Sequence, residues 1–380
     1  MSIKVVHTIN AFTPTTGGTA TCTYDLLGAL NTCADMQAQI VVTKPRQPLM
    51  GHGEPWIIAV ENDEKTAFGI SSNLRVALNQ TDADIYHTNG LWRYCNHVTA
   101  VVAKQKNKPF VITPHGMLYP QALAQSRFQK KLLRLAMFDK DIRDAACIHV
   151  TCEEEMRHIR ALGFTNNPIA IIANPVLMPR IAPQSHSDKV TFGYLGRLHQ
   201  RKRVERLIDA LAQLTIQERR QCELVIMGSG DPTYEVFLHE RAKQLQLDNV
   251  RFIGFVEGIE KQRQLASLSA LFVPSDFENF GMIISEALSC SIPVWASTGT
   301  PWKQLIDNGC GWWQKPTIEN IVSTMRQILN MPPKNLDEMG KNGHLLVKEQ
   351  FSAEAVAQQM KELYNWILNK QSKPSFVYDE

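Results

Sequence analysis

The chain has almost no net charge and no long apolar run, and both absences limit what it can be. Forty Lys and Arg stand against 37 Asp and Glu, so the net charge of +3 gives no overall signal for a nucleic-acid partner. No stretch reaches ~18 nearly charge-free apolar residues, so we expect no membrane-spanning helix. The first residues are polar and soon become strand-like, so we expect no signal peptide.

Cysteine motifs are also absent. The eight cysteines are scattered, with no CxxC pair, and a chain of 380 residues can bury its core without disulfide bonds. We therefore expect reduced thiols and a cytoplasmic protein.

Short apolar, β-branched runs alternate with helical patterns along the whole chain, and apolar residues make up 44% of it. Continuous apolar runs of this length are typical of strands buried on both faces, as in a parallel sheet covered by helices. Because one domain usually takes about 100–200 residues, we predict two doubly wound α/β domains. Their strands are predicted at Ile3–Ile9, Ala38–Thr43, Ile85–Thr88, Phe110–Thr113, Cys147–Thr151, Ile169–Ala173, Val190–Leu195, Cys222–Met227, Val250–Val256, Leu271–Pro274, Ile292–Ala296 and Cys310–Gln314.

A proline-rich segment marks the predicted boundary between the domains. Asn174–Ser187 contains three prolines and no helical period, and proline disfavours helix at the residue before it. We predict a first domain over residues 1–180 and a second over residues 181–351. Apolar residues recur at helical spacing after Ser352, which predicts a C-terminal helix and tail over residues 352–380.

Gly17 and Gly18 follow the first strand and precede a predicted helix near Thr21–Asn31. Two glycines let the backbone turn sharply and approach a diphosphate at the positive end of the helix. Doubly wound domains bind their ligands in the cleft where strand ends and helix N-termini meet, so a phosphorylated or nucleotide-bearing ligand is expected. An ordinary βα turn remains the alternative for the two glycines.

A basic turn follows the predicted strand Val190–Leu195. Arg197 and Lys202, which we expect to be buried, are spaced to clamp a diphosphate, the arginine as a bidentate fork and the lysine as a point charge. Arg201 and Arg203 lie in the same turn, so a solvated basic loop is the alternative.

Two carboxylates lie on the next strand–turn–helix of this domain. Glu278 falls in the turn after Leu271–Pro274, and Glu286 lies two helical turns further on. Carboxylates this far apart can hold two sets of sugar hydroxyls, one on each side of a diphosphate. The N–H groups of Gly281–Ile283 would point from the helix start towards the phosphates. A capping carboxylate with a surface glutamate explains the pattern poorly.

Together these motifs resemble the signature of family 4 of the retaining glycosyltransferases. Glu278-x7-Glu286, the Gly-Arg-Leu turn at 196–198 and Lys202 occur in that family's order and in its strand–turn–helix contexts. The resemblance covers nearly the whole chain. It implies the GT-B fold, in which two Rossmann-like domains face a cleft and the C-terminal helix crosses back to the first domain.

The resemblance also implies roles for individual residues. His115, in the segment 113–117, looks like the family's active-site histidine, and segments 300–302 and 309–313 resemble members that build bacterial cell-surface polysaccharides. Arg203 departs from the family, where many members have glycine. The implied catalytic residues are His115, Glu278, Arg197 and Lys202. The expected donor-binding residues are Gly17, Gly18, Arg197, Lys202, Gly228, Glu278, Phe280, Gly281, Met282, Ile283 and Glu286.

Two further patterns are typical of other proteins. Asp82-Ala83-Asp84 spells the DxD metal motif of the other large glycosyltransferase fold, but it leads from a helix into a buried strand, so no metal site is predicted. Gly228-Ser229-Gly230 resembles half of a dinucleotide fingerprint, with Thr233 in the place of the last glycine, which argues against NAD. A loop of this kind beside a diphosphate remains compatible with the pattern.

The positive charge is concentrated in the first half. No Asp or Glu lies between Asp84 and Asp139, a span that holds eight cations. Residues 121–138 are predicted to form a basic helix, and each cation near an anionic bilayer can add about 1 kcal/mol of attraction. Its apolar residues are Phe128, Leu132, Leu135 and Met137. A peripheral contact with the inner face of the plasma membrane and a core helix with a solvated basic face are both open. Nucleic acid is not expected, because no aromatic stacking platform is interleaved with the cations.

We therefore predict a retaining, metal-independent glycosyltransferase without a cofactor. It would transfer a sugar from a UDP-sugar or GDP-sugar to a hydroxyl of a growing cell-surface glycan of the O-antigen or capsule type. The expected partners are this nucleotide-sugar donor and a glycan or lipid-linked oligosaccharide acceptor. A sugar-nucleotide epimerase or phosphorylase on the same plan, and a non-catalytic nucleotide-sugar-binding protein, are the alternatives.

Overall fold

The computed structural model describes residues 2–181 and 189–379 and divides into two compact units. The first unit comprises Met1–Pro175 and Ala353–Glu380, and the second comprises Val176–Ser352. The predicted linker Asn174–Ser187 runs into residues 182–188, which lie outside the described residues.

The first unit is built on an eight-stranded sheet. Numbered along the chain, its strands lie in the order β14-β7-β6-β5-β4-β1-β2-β3, all parallel except for the antiparallel pair β14 and β7. Their bounds are β1 Ile3–Ile9, β2 Met36–Thr43, β3 Ile57–Val60, β4 Ile85–Asn89, β5 Phe110–Thr113, β6 Cys147–Val150, β7 Ile169–Ile171 and β14 Val377–Tyr378.

Helices connect the parallel strands of the first unit. They are α1 Gly18–Leu30, α2 Ser72–Gln80, α3 Tyr94–Gln105, α4 Pro120–Ala124, α5 Arg127–Leu133, α6 Asp139–Asp144, α7 Glu153–Ala161 and the C-terminal α16 Ala353–Ile367. A 3₁₀ turn covers Pro14–Thr16, and a π-helical turn covers Arg134–Phe138.

The second unit is built on a parallel six-stranded sheet in the order β10-β9-β8-β11-β12-β13. Its strands are β8 Val190–Leu195, β9 Cys222–Met227, β10 Val250–Gly254, β11 Ala270–Val273, β12 Val294–Ser297 and β13 Gly311–Gln314. Its helices are α8 Glu205–Ala212, α9 Ile216–Arg220, α10 Pro232–Gln244, α11 Gly258–Ala266, α12 Met282–Ser289, α13 Gln304–Asp307, α14 Ile318–Leu329 and α15 Pro333–Gln350.

The continuous apolar runs are explained by burial on both faces of each sheet. In β1, Val5 belongs to the cluster that packs against α1 and α16, whereas Val6 belongs to the cluster that packs against α2, α3, α6 and α7. Successive side chains of a strand point to opposite faces, so a strand covered on both sides needs apolar residues at successive positions. The two parallel-sheet Rossmann-like units confirm the predicted α/β class, and the C-terminal helix returns to the first unit as expected.

The prediction of one helix over residues 121–138 is wrong. The segment is divided into α4, α5 and the π-helical turn, because Ser126 adopts a left-handed conformation (φ 53°) that a right-handed helix cannot contain. The core-helix alternative also fails, since three apolar side chains of this segment are exposed to 89%, 68% and 73%. These are Phe128, Leu132 and Leu135.

All eight cysteines carry free thiols, six of them buried. Among the described residues, no helix is both long and apolar enough to cross a membrane.

Candidate functional site

The strand order of each sheet reverses at one point, and several of the predicted site residues lie in the loops at these points. The reversal falls between β8 and β11 in the second unit and between β1 and β4 in the first. Open parallel sheets bind ligands outside the carboxyl ends of the strands at such a switch point. The loop after β8 carries Arg197 and Lys202, and the loop after β11 carries Glu278.

Lys202 and Glu278 form an ion pair across the switch point of the second unit. Lys202 Nζ donates to Glu278 Oε1, and Ser275 Oγ donates to the same oxygen at 2.7 Å. The two side chains are only 15% and 12% exposed. The second carboxylate oxygen and the remaining ammonium protons can therefore bind a ligand without breaking the pair.

Arg203, which follows this lysine, stands where many members of the family have glycine, and its surroundings explain how an arginine fits there. Arg203 adopts a left-handed conformation (φ 55°), which glycine reaches without strain. Its guanidinium forms ion pairs with Asp276 and Glu205, which hold the side chain at this position. Arginine is thus accommodated by local charge pairing rather than by a different turn.

The turn from β11 into α12 presents the start of a helix at the same place. Gly281 precedes the helix in a left-handed conformation (φ 79°) and, as a glycine, has no side chain to cap it, and the first turn of the helix contains no acidic residue. Ile284 N–H closes the turn on the Gly281 carbonyl at 2.8 Å. The N–H groups of Met282 and Ile283 therefore provide partial positive charge suited to a phosphate.

Glu286 lies further along α12 and is paired with a lysine that sequence patterns did not reveal. Lys261 Nζ on α11 donates to Glu286 Oε1 at 2.8 Å, and both side chains are partly buried. The pair orients the carboxylate and leaves its other oxygen able to accept hydroxyls.

Phe280 is placed differently from the other expected donor-binding residues. Its ring is buried (5% exposed) and packs against Trp302 and Phe351, while its carbonyl accepts the Trp302 indole N–H. Its side chain holds the turn in place, so only its backbone can contact a donor.

Arg197 is exposed, so the expectation that both cations are buried holds only for Lys202. Its carbonyl accepts the Tyr194 hydroxyl at 3.1 Å, which anchors the backbone and leaves the guanidinium at the surface. Gly228, in the loop after β9, packs directly against this turn, since an added Cβ would lie 1.9 Å from the Gly196 carbonyl oxygen.

In the first unit, Gly17 and Gly18 lie at the start of α1. Gly17 precedes the helix with φ 90° and, as a glycine, has no side chain to cap it, and an added Cβ at Gly17 would meet none of the described residues within 4 Å. The glycine is therefore needed for its backbone conformation rather than for close packing against the protein.

His115 follows β5 in a left-handed turn (φ 51°), next to Gly116 (φ 75°). Glu155 holds this turn: buried in α7 with 1% exposure, it accepts the N–H of Gly116 and, at 3.0 Å, that of Thr151. His115 Nε2 lies 3.3 Å from Asn89 Oδ1. Burial lowers the pKa of His115 to about 3, so the ring is neutral near pH 7.

Three buried histidines, His7, His87 and His149, and the partly exposed His115 make the stability of the first unit depend on pH. Burial lowers the pKa of His7 and His115 to about 3 and of His149 to about 4, and that of His87 also lies well below its usual value. The unfolded chain binds protons at these sites below about pH 6.5, whereas the folded chain does not, so stability falls as the pH falls.

Between pH 7 and pH 5 we expect the free energy of unfolding to drop by about 2 kcal/mol for each histidine that stays neutral. Urea unfolding at the two pH values, followed by tyrosine and tryptophan fluorescence, measures the change. A midpoint that does not move between pH 7 and pH 5 would show that the histidines are not held neutral.

The DxD-like motif connects α2 to β4, as expected. Asp82 pairs with Lys4 at 2.6 Å, and Asp84 accepts the backbone N–H of Lys4 at 3.0 Å. Both carboxylates thereby tie the start of β4 to β1.

Comparison with known proteins follows the same division of the chain. A model described as "Glycosyl transferase 4-like domain" matches residues 17–175, and one described as "Glycosyl transferases group 1" matches residues 180–364. Together they include Gly17 and the loops that follow β4, β8 and β11.

Several characterised proteins are similar to this chain. The phosphatidylinositol N-acetylglucosaminyltransferase gpi3 subunit of Schizosaccharomyces pombe is 23% identical over 78% of this chain and 61% of its own length. A lipopolysaccharide 1,6-galactosyltransferase of Salmonella typhimurium is 31% identical over 37% of this chain and 39% of its own length. The chain thus spans less than two thirds of the length of these relatives.

A solved structure shares the fold. Anabaena HepE in complex with UDP and glucose superposes with a TM-score of 0.74 at 19% identity, covering 96% of this chain and all of HepE. The two units are therefore those of the GT-B fold. Since the two family models match in order along nearly the whole chain, the protein belongs to the family 4 glycosyltransferases of the GT-B fold.

Proposed function

We propose that this chain is a retaining glycosyltransferase that takes a sugar from a UDP-sugar or GDP-sugar and attaches it to a hydroxyl of a growing cell-surface glycan. The observation that carries the proposal is the Lys202–Glu278 pair beside the uncapped start of α12, at the switch point of the second sheet. The cation and the helix N-terminus can bind a diphosphate, and the carboxylate beside them can accept hydrogen bonds from the hydroxyls of a sugar.

The donor-side roles follow from the charges. Lys202 and Arg197 neutralise the diphosphate as it leaves, helped by the N–H groups of Met282 and Ile283, and this fixed positive charge serves in place of a divalent cation. Glu278 accepts hydroxyls of the transferred sugar, and Glu286 accepts those of the ribose. For the first unit, we propose that His115 takes part in catalysis and that Gly17 and Gly18 allow a phosphate to approach the backbone.

Retention is proposed through attack on the same face of the donor sugar. The bond between the anomeric carbon and the diphosphate oxygen breaks, the acceptor oxygen bonds to that carbon, and the acceptor proton passes to the leaving phosphate. The buried setting of Lys202 strengthens its interaction with the developing charge relative to a solvated lysine.

The relatives support the class of donor and acceptor. HepE was solved with UDP and glucose, and the Salmonella relative is described as a lipopolysaccharide galactosyltransferase. In line with these relatives, we propose an acceptor among lipid-linked or cell-surface glycans, made at the inner face of the plasma membrane.

Product analysis tests this function. The purified chain is incubated with radiolabelled UDP-sugars and GDP-sugars and with lipid-linked glycans extracted from bacterial membranes. We expect free nucleoside diphosphate and a labelled, extended acceptor with the anomeric configuration of the donor. An epimerised sugar nucleotide, an inverted linkage, or unchanged donor in every reaction would reject the proposal.

We also propose that α5 and the π-helical turn contact the membrane. This membrane-facing segment, residues 127–138, exposes the three apolar side chains described above together with the charged Arg127 and Lys131. Basic and apolar groups exposed on one short segment favour an anionic bilayer surface. Two other cations are already engaged, since Lys130 donates to the Ala122 carbonyl and Arg134 pairs with Asp139.

Replacing the three exposed apolar side chains by serine is expected to reduce membrane binding at least about tenfold, because each buried apolar side chain contributes roughly 1.5–3 kcal/mol. The triple variant is F128S/L132S/L135S. Co-sedimentation with vesicles of equimolar phosphatidylglycerol and phosphatidylcholine measures binding, and phosphatidylcholine vesicles show the part due to charge. Serine at Ile216, Val236 and Phe237, exposed apolar residues of the second unit, is the matched control. Equal binding by the two triple variants would contradict this contact.

A further inference from the structure

A continuous chain of hydrogen bonds crosses the first sheet and ends at the candidate active-site histidine. Its members come from β1, β4, β5 and β6, from the segments that follow β5 and β7, and from α16. With the exception of His115, which is partly exposed, and the Ile172 carbonyl at the far end, its polar side chains are at most 5% exposed. The members of this histidine–tyrosine chain are, in order, Ile172, His149, Thr113, His87, Tyr364, His7, Asn89 and His115.

The direction of every bond follows from the first one. The Ile172 carbonyl can only accept, so His149 Nε2, at 2.8 Å, carries the proton and His149 Nδ1 must accept. Thr113 therefore donates its hydroxyl proton to His149 Nδ1 at 2.8 Å. Its oxygen then accepts from His87 Nε2 at 2.6 Å, which makes His87 Nδ1 an acceptor in turn.

The hydrogen bonds in the second half of the histidine–tyrosine chain have the same donor-to-acceptor direction. Tyr364 donates to His87 Nδ1 at 2.8 Å and accepts from His7 Nε2 at 3.0 Å. His7 Nδ1 then accepts from the Asn89 amide at 3.2 Å, and the same amide nitrogen also donates to the Thr8 carbonyl. The Asn89 oxygen is left to accept from His115 Nε2.

The neighbourhood of the rings favours this neutral arrangement. His7 and His87 pack with ring centroids 4.4 Å apart, which would be costly if both were charged. Glu155, a buried carboxylate near His115, bonds the backbone N–H groups of Gly116 and Thr151 instead of a ring. Burial lowers the pKa of His87 and His149 and keeps them neutral.

We propose that the histidine–tyrosine chain fixes the tautomer of His115, with the proton on Nε2 and with Nδ1 presented as an acceptor to a substrate hydroxyl. Tyr364 and Asn89 are then positioning residues, and the C-terminal helix acts on the site through Tyr364. Among the described residues, none forms a hydrogen bond to His115 Nδ1. The catalytic meaning of the tautomer rests on the proposed function, but the tautomer itself does not.

Loss of the Tyr364 hydroxyl breaks the histidine–tyrosine chain between His87 and His7, so the tautomer of His7 is no longer fixed. His7 Nε2 loses its acceptor and His87 Nδ1 loses its donor, so His7 can carry its proton on Nδ1 instead. Asn89 can then rotate its amide and offer its nitrogen to His115, which favours the opposite tautomer.

The test is ¹⁵N NMR of the full chain with labelled histidine, assigned through a His115→Gln variant. In the wild type we expect the His115 signals of the Nε2-protonated neutral ring at pH 7. In Tyr364→Phe we expect these signals to shift towards a mixture of the two tautomers. Tyr86→Phe is the matched control. Tyr86, on β4, is as fully buried as Tyr364, and its hydroxyl donates to the Thr81 carbonyl, which is not part of the histidine–tyrosine chain.

Asn89→Ala provides a second test should Tyr364→Phe fold poorly. It removes the acceptor next to His115 and should also give mixed tautomers. The proposal is overturned if wild-type His115 carries its proton on Nδ1, or if both variants keep the wild-type signals. It is also overturned if Tyr86→Phe shifts the His115 signals as much as Tyr364→Phe does.

Kinetics separate positioning from folding. We expect Tyr364→Phe to lower kcat about three- to tenfold with donor KM nearly unchanged. The hydrogen bond that His115 Nδ1 accepts from the substrate matters most in the transition state. Tyr86→Phe should lower the melting temperature comparably while keeping kcat. A wild type that shows the expected tautomer but no sugar transfer would reject the proposed function and leave the tautomer assignment standing.

Discussion

Lys202→Ala is expected to lower kcat/KM for sugar transfer by about 10²–10³, the usual effect of removing one preorganised group that stabilises developing charge. The lysine is the cation at the switch point, it is only 15% exposed, and it is already held by Glu278 before any donor binds. No reorganisation is needed when the diphosphate begins to leave. Initial rates at varied donor concentration give the change in kcat and KM separately.

Lys243→Ala is the matched control for this variant. Lys243 is exposed on α10 of the same unit, so its removal changes the net charge equally without touching the switch point. Similar melting temperatures for the two variants would show that the fold is retained. A loss below about tenfold for Lys202→Ala, or an equal loss for the control, would remove the lysine from the proposed mechanism.

Gly228→Ala is expected to destabilise the second unit by about 3 kcal/mol or more. The new Cβ would lie 1.9 Å from the carbonyl oxygen of Gly196, and φ at this residue is 130°. The opposing atom belongs to the backbone of the turn that carries Arg197, so it cannot rotate away as a side chain can. Displacing that turn should weaken donor binding as well.

Gly254→Ala separates the clash from the backbone strain. Gly254 has φ 83° in the same unit, but an added Cβ there meets nothing within 4 Å, so only the conformational cost of about 1–2 kcal/mol applies. Urea midpoints of the two variants measure the difference. If they are equal, the close approach of the two loops does not matter for stability.

The architecture was predictable because buried strands leave a strong apolar signal. All twelve predicted strands agree with the structure within two residues at each end, and β1 and β5 agree without any difference. The edge strand β3 was missed because its Ile-Ile-Ala-Val run is short and only half-buried, and β14 contains just two residues. The break at Ser126 was missed because serine gives no sequence signal for a left-handed conformation.

The predicted site residues were recognisable by motif, but their contacts were not. Lys202 and Glu278 lie 76 positions apart, and nothing in either motif states that they pair. Lys261 and Glu155 carry no motif at all, because their roles depend on which helix packs beside them.

The histidine–tyrosine chain was equally hidden. His7 and His87 stand in apolar runs that predict buried strands, and only the parallel register that places them side by side shows that they are neighbours. Tyr364 lies more than 270 residues further along, in a helix whose apolar spacing predicts a core position and not a hydrogen bond.

Calorimetric titration of UDP and GDP into the purified chain tests the central claim most directly, since the proposed function requires a nucleoside diphosphate site in the second unit. We predict that one of the two nucleotides binds saturably, and that Glu286→Ala weakens it about tenfold or more, because hydrogen bonds to a charged group contribute about 1.5–3 kcal/mol. Binding of neither nucleotide, or equal binding by the wild type and Glu286→Ala, would contradict the account.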